Sequence, residues 1–428
     1  MKAAIRPEDE QSPILLLCGN MWDGQRDEPL GSVEILAEDG KIVQMGKTLT
    51  RPVGARIVDL TGHTVTPGFI DSHVHTTLDP RHPIESILNY SDVSKALFAL
   101  SPLHDLLMNG FTTVRDVAGF DHGYVTVDLK GAIEQGLIEG PRMFVAPHLV
   151  SSTGGHGDMA NLMAPEHAVG MSGKIVADGA DEITRVVREE IRGGADWIKV
   201  CGSGGFGDPS VDPSQTTYTQ EEMNALVQTA HDYGIPVCTH VYGAEGIRRA
   251  VAAGVDSVEH GSLSSPEDLA LMEKNGIFLV PTLYTIYPDL DRLGDPDYLA
   301  EVPAFLAEKY SKYATILRAK SKNLAMSNVK IAFGTDAGTF PFKDNWREFP
   351  EMAKMGITAL RAMKAATSTA AEMLRRPDLG SLAVGKTADI IAMPGDPFQD
   401  INVTGKVDFV MKEGLIYRQP EHGGGNKE

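Results

Sequence analysis

From Gly68 onward the sequence repeats one alternation eight times, and that alternation limits the possible folds more than any single motif does. Short apolar runs fall at 69–75, 111–118, 142–150, 197–201, 236–241, 257–260, 278–283 and 329–334. Between them lie stretches such as 180–192, 220–233 and 245–253, where apolar residues recur three and four apart among helix formers. Thr219-Gln220-Glu221-Glu222 has the form of a capping box opening one of these helices. Eight strands alternating with helices predict an α/β fold, a parallel sheet closed as a (β/α)8 TIM barrel. An open doubly wound sheet is the alternative if one of the eight runs is not a strand.

The flanks have a different rhythm. Residues 13–66 read as short strands at 14–18, 33–37, 41–45 and 56–59, with Asp39-Gly40 as a hairpin turn. Past the helix-like stretch 358–374, short strands return at 388–393 and 407–417. The expected organisation is a small β domain built from both chain ends (1–67 and 381–428) and interrupted by the barrel (68–380). The tail 421–428 reads as disordered.

At 428 residues the chain exceeds one ordinary domain, which leaves room for a barrel and a smaller unit. A formal charge of −19 argues against nucleic acid and anionic membrane as partners. Three cysteines are too few for a disulfide framework and suggest a reducing, cytoplasmic setting. The N-terminus has no apolar core of the kind a signal peptide needs, and no stretch reads as a membrane span.

In a (β/α)8 barrel, chemistry sits at the C-terminal strand ends. The first run ends in His73-Val74-His75; on a strand, residues two apart share a face, with backbones about 7 Å apart. The fourth run carries Lys199, the fifth ends at His240, the sixth at His260, and the eighth leads to Asp336. Singly, each has an ordinary explanation. A lysine snorkels, a strand histidine hydrogen-bonds in the core, and an aspartate after Gly-Thr caps a helix. Together, four imidazoles, a lysine and a carboxylate at five of eight strand ends point to a metal centre. Cys201 and Cys238 alternate to the same side; packing is the preferred reading over thiolate ligation. Tyr242 faces the site if its strand continues, and His156, in a glycine-rich loop, is either a substrate contact or an ordinary loop residue.

The set resembles the amidohydrolase superfamily, in its binuclear-metal branch with a carboxylated lysine. Gly68-Phe69-Ile70-Asp71-Ser72-His73-Val74-His75 is similar to that family's opening motif, and Gly385-Lys386-Thr387-Ala388-Asp389-Ile390 to its closing one. Gly110-Phe111-Thr112-Thr113-Val114-Arg115-Asp116, Ser152-Thr153-Gly154-Gly155-His156-Gly157 and Trp197-Ile198-Lys199 resemble the prolidase and carboxypeptidase-like branch, which includes enzymes splitting ochratoxin A into its isocoumarin acid and phenylalanine. The likeness spans residues 13–418.

The resemblance implies that the terminal strands form a β-sandwich. It also implies two divalent metal ions, Zn2+ first, with Mn2+ or Co2+ as alternatives. His73, His75 and Asp336 would hold one metal, His240 and His260 the other, and a CO2-derived carbamate on Lys199 would bridge them. Asp336 would act as general acid–base. A small-molecule amide with a free C-terminal carboxylate is the implied substrate, with Tyr242 and His156 as candidate contacts. A homo-oligomer, an octamer by the same resemblance, is the implied assembly. Hydrolysis of a cyclic amide or phosphoester, or a non-catalytic scaffold, are the other readings. Long loops at 151–181, 203–219 and 286–328 are expected to set specificity.

Overall fold

The computed structural model describes residues 12–164, 166 and 175–420; residues 1–11 and the tail 421–428, expected to be disordered, lie outside the described residues. In chain order the strands are β1 (Ile14–Met21), β2 (Val33–Glu38), β3 (Lys41–Gly46), β4 (Arg56–Pro67), β5 (Phe69–Val74), β6 (Phe111–Asp116), β7 (Arg142–Val145) and β8 (Leu149–Val150). They continue with β9 (Ile198–Cys201), β10 (Val237–Val241), β11 (Ser257–His260), β12 (Phe278–Val280), β13 (Ile390–Pro394), β14 (Phe409–Lys412) and β15 (Leu415–Arg418).

Strands from the two chain ends make one seven-stranded sheet, in the order β15-β14-β13-β4-β1-β2-β3. Asp39 and Gly40 take φ of 48° and 75° between β2 and β3, the positive values that a tight hairpin turn requires. In the middle of the sheet, Pro67 of β4 pairs with Ile390 of β13. Four strands separate β3 from β14, so a flat sheet would hold them about 24 Å apart. Instead the turn at Gly40 meets the turn at Gly414: a Cβ on Gly414 would lie 3.1 Å from Gly40 Cα. The sheet curls until its ends touch, over a core that includes Leu16, Ile35, Ile42, Leu60, Ile390 and Phe409.

The remaining strands are parallel and form two sheets, β5-β6-β7 and β8-β9-β10-β11-β12. Every residue of β5, β6, β9, β10 and β11 is buried, as in parallel strands covered on both faces. Helices follow the strands, and the Thr219–Glu222 capping box is present at the head of Gln220–Asp232.

Two of the eight expected runs are not continuous strands. The third breaks into β7 and β8 around Ala146-Pro147-His148, where Pro147 has no N–H to give and His148 turns to Glu190 (2.9 Å). The eighth, around residues 329–337, makes only the isolated bridges Leu279↔Ile331 and Val74↔Ala337. A positive φ of 64° at Asp336 ends its extended conformation. It is nonetheless bonded on both sides. Leu279 N–H donates to Lys330 O (2.9 Å), Ser72 N–H to Phe333 O (2.8 Å) and His75 N–H to Ala337 O (2.8 Å). Across the other gap, the N–H groups of Asp196 and Trp197, just before β9, donate to Val145 O at the end of β7.

The expected long loop at 286–328 contains helices at Tyr287–Asp291, Pro296–Glu301 and Ala304–Met326. No helix of the described residues is long and apolar enough to cross a membrane.

Candidate metal centre

The ends of β5, β10 and β11 and the segment leading to Asp336 bring four imidazoles and a carboxylate to one place. His73, His260 and Asp336 each offer a ligand atom within 4.8 Å of the others. His75 Nε2 lies 3.2 Å from Asp336 Oδ1, and His73 Nε2 lies 3.4 Å from the same oxygen. His240 Nδ1 approaches His260 Nε2 at 3.0 Å. The tightest group therefore draws one histidine from each of the two expected ligand sets. All five side chains are buried, as is Lys199. Lys199 Nζ has no hydrogen-bond partner among the described residues.

Fixed acceptors orient three of the rings. His73 Nδ1 donates to Glu259 Oε2 (2.7 Å), His75 Nδ1 to Ala118 O (3.0 Å) and His240 Nε2 to Gly204 O (3.2 Å). Because carboxylates and carbonyls only accept, the other nitrogen of each ring is left with its lone pair. His73 and His75 thus present Nε2 to the centre, and His240 presents Nδ1. Burial, reinforced by the Lys199 charge at His73 and by neighbouring imidazoles at His240 and His260, holds these three rings below the ordinary histidine range. Neutral imidazole is the form that binds metal. The donor set fits divalent metal ions, and an unpartnered, buried amine beside it fits a lysine that carries a carboxylate when metal is bound.

The backbone is bent to achieve this. His260, Thr282 and Asp336 have φ of 68°, 45° and 64°. Each costs on the order of 1–3 kcal/mol for a residue other than glycine, a strain that packing elsewhere must hold. Thr282 Oγ1 lies 2.7 Å from His260 Nδ1, so one strained residue steadies another. At Gly334 a Cβ would stand 2.3 Å from Val280 and 2.9 Å from His73 Cβ, so a side chain there would drive the ligand strands apart.

Sequence reasoning missed the support beneath His73. Glu259, the residue before His260, is fully buried and joins His73 to the equally buried Arg115 (2.8 Å). Arg115 also donates to Ser72 O (2.6 Å) and Ser257 Oγ (3.1 Å) and stacks on Trp197 at 4.4 Å. Burial would raise the Glu259 carboxyl; Arg115 and His73 more than reverse that and hold it low. A carboxylate behind a metal-facing histidine fixes its tautomer and raises its basicity. Glu259→Gln is expected to weaken metal binding by about 10–100-fold. Leaving Arg115 buried without its anion is expected to cost about 3–5 kcal/mol of stability. Metal titration and denaturant unfolding read the two effects separately, and wild-type values in both would remove Glu259 from this role.

Tyr242 and His156 both reach the centre. Tyr242 stacks on His260, with rings 4.8 Å apart and 14° from parallel, and His156 stacks on His240 at 4.5 Å. His156 Nδ1 lies 3.6 Å from Asp208 Oδ2 in the loop after β9. That loop is fastened from outside: Lys309, on helix Ala304–Met326, donates to the carbonyls of Gly205, Asp208 and Val211. Gly205 has no room for a side chain, since a Cβ would sit 2.5 Å from the His156 ring. Cys201 and Cys238 pack as expected. Burial pushes their thiols up to about 12 and about 11, away from thiolate chemistry.

Residues 64–416 match the amidohydrolase family. The chain belongs to that family. Among its relatives, an ochratoxinase of Aspergillus niger is 30% identical, over 97% of this chain and 89% of its own length. The crystal structure of that species' ochratoxinase superposes with a TM-score of 0.81 at 28% identity, covering 96% of this chain and 97% of that one. A Xaa-Pro dipeptidase with methionine bound in its active site gives a TM-score of 0.86 at 34% identity, covering 95% of this chain and 100% of that one. Like these amidohydrolase relatives, the chain is a hydrolase acting on C–N bonds.

Proposed function

We propose that the chain is a binuclear metal-dependent amidohydrolase that cleaves N-acyl amino acids or dipeptide-like molecules with a free C-terminal carboxylate. The observation that carries this reading is the convergence of four histidines and Asp336 on one point beside the unpartnered amine of Lys199. In it, His73, His75, His240, His260 and Asp336 would hold two divalent ions, Zn2+ first, and Lys199 would supply a further anionic ligand as a carbamate. Bound there, such a pair would supply hydroxide near neutral pH and Lewis acidity toward the scissile carbonyl. Asp336 takes a proton at its free carboxylate oxygen and returns it to the leaving amine.

We read the frame for this chemistry as one (β/α)8 barrel over residues 68–380, a reading supported by the backbone hydrogen bonds that residues 329–337 make with Ser72, His75 and Leu279 and by those from Asp196 and Trp197 to Val145 O. In the same reading the curled seven-stranded sheet, whose strands lie between Ile14 and Arg418, is the small β-sandwich companion of that barrel. Three free, buried cysteines suit a reducing compartment. Amides such as ochratoxin A, which joins phenylalanine to an aromatic acid, fall within the proposed substrate class.

The substrate carboxylate needs a partner, because a buried one left unpaired costs several kcal/mol. Tyr242 and His156 flank the centre and are the groups that would hold it. Capping that carboxylate as an amide is expected to lower kcat/KM by roughly 2–4 kcal/mol, the scale of a lost charge-assisted hydrogen bond. Tyr242→Phe should lose part of the same amount on the free acid and almost none on the capped substrate. Equal slowing of both substrates by Tyr242→Phe and by His156→Ala would show that neither residue reads the carboxylate. The class itself is tested by screening N-acyl amino acids and dipeptides against the metal-loaded protein; no turnover of any free-acid amide would overturn it.

A further inference from the structure

A cavity of about 300 Å3 opens from Asp336 and Tyr242 toward the helices after β12. Its walls are aromatic: Phe206, Tyr242, Tyr284, Tyr310 and Phe340. The rings brace one another. Phe206 meets Tyr242 edge-on at 4.9 Å and Tyr310 at 5.3 Å, and Tyr284 meets Phe340 edge-on at 4.8 Å. Phe206 is carried by the loop that Lys309 fastens, so this wall is held in place from behind.

The charges around the cavity are one-sided. Its lining holds two carboxylates, Asp336 and Asp289, and no basic residue. Asp336 belongs to the metal centre. Asp289 is left over, and among the described residues it forms no ion pair; the nearby Arg292 turns to Asp295 (3.7 Å) and lies over the Tyr298 ring (4.6 Å). Burial pushes the Asp289 carboxyl upward, and Arg292 and the Tyr298 hydroxyl offset only part of that. A carboxylate beside an aromatic enclosure with no direct ion pair attracts a cation twice, through its charge and through the faces of the rings.

We propose that this cavity takes the side chain of the substrate's amino acid and selects one ending in a cation, a guanidinium or an ammonium, over a neutral side chain of equal size. The inference rests on the amidase reading of the adjoining centre and adds to it which amino acid that centre releases. Arginine and citrulline differ at the side-chain end in charge and little in shape, so they isolate the effect. Their binding to the metal-loaded protein is measured by calorimetry as free amino acids, independently of turnover. Arginine is expected to bind at least about tenfold tighter, the scale of a partly desolvated cation–π and charge contact. Asp289→Asn should bring the two affinities to within about twofold, and Asp289→Ser provides the same test should the first variant misfold. Equal affinities in the wild type, no binding of either amino acid, or a preference untouched in both variants would overturn the proposal. Hydrolysis of N-acyl-arginine and N-acyl-citrulline is followed in parallel. If arginine binds tighter through Asp289 while neither amide is cleaved, the cavity keeps its assignment and the amidase reading is the one that fails.

Discussion

Lys199→Ala is expected to abolish turnover by several orders of magnitude and to release at least one metal ion per chain. Four neutral imidazoles and one carboxylate supply too little negative charge to hold two divalent ions close together, so the bridging anion has to come from a further group. Lys199 is a buried amine within β9 with no hydrogen-bond partner among the described residues, and it is the group proposed to become that anion. Short carboxylic acids or bicarbonate should partly restore both metal content and activity in the variant, because the truncated side chain leaves room for an exogenous bridge. Near-normal turnover with two tightly held metals in Lys199→Ala would show that no carbamate is needed.

Asp336→Asn is expected to reduce kcat by about 10²–10⁴, the usual contribution of a positioned acid–base, with KM changing little. The amide keeps the shape of the carboxylate and the strained φ of 64°, and it removes the charge that His73 and His75 surround. His73→Ala or His260→Ala should act differently, lowering metal content first and activity as a consequence. If Asp336→Asn turns over normally at saturating metal, the proton is handled elsewhere and Asp336 is a ligand alone.

The residues that cluster at the candidate centre were legible because they interrupt apolar runs. A polar residue in or just after a short apolar run has few structural reasons to be there, and six such residues coincide at five of the runs. Alternation by two likewise carried Tyr242 to the correct face. The third and eighth runs were harder. Apolar content marks burial, but it does not register that Pro147 lacks a donor or that the backbone turns left-handed at Asp336. Arg115 and Glu259 were in view, one inside a quoted motif and the other beside a named histidine. Their role depends on β6 and β11 facing each other across the interior, which no local spacing encodes. Asp289 was less legible still. It lies in a helical segment of a long loop, and only the packing of five rings around it makes its charge noteworthy.

The pairing of β4 with β13 has a consequence for how the molecule is made. The edge of β4 that bonds Ile390 must stay unmatched until about 320 further residues have left the ribosome, roughly 15–60 s at ordinary synthesis rates. Throughout that interval the nascent chain presents an open strand edge to its surroundings, the kind of surface that recruits other chains. Completion of the sheet therefore waits for β13 to emerge, and shortening the chain before β13 would leave that edge permanently unsealed, with insolubility rather than loss of chemistry as the first symptom.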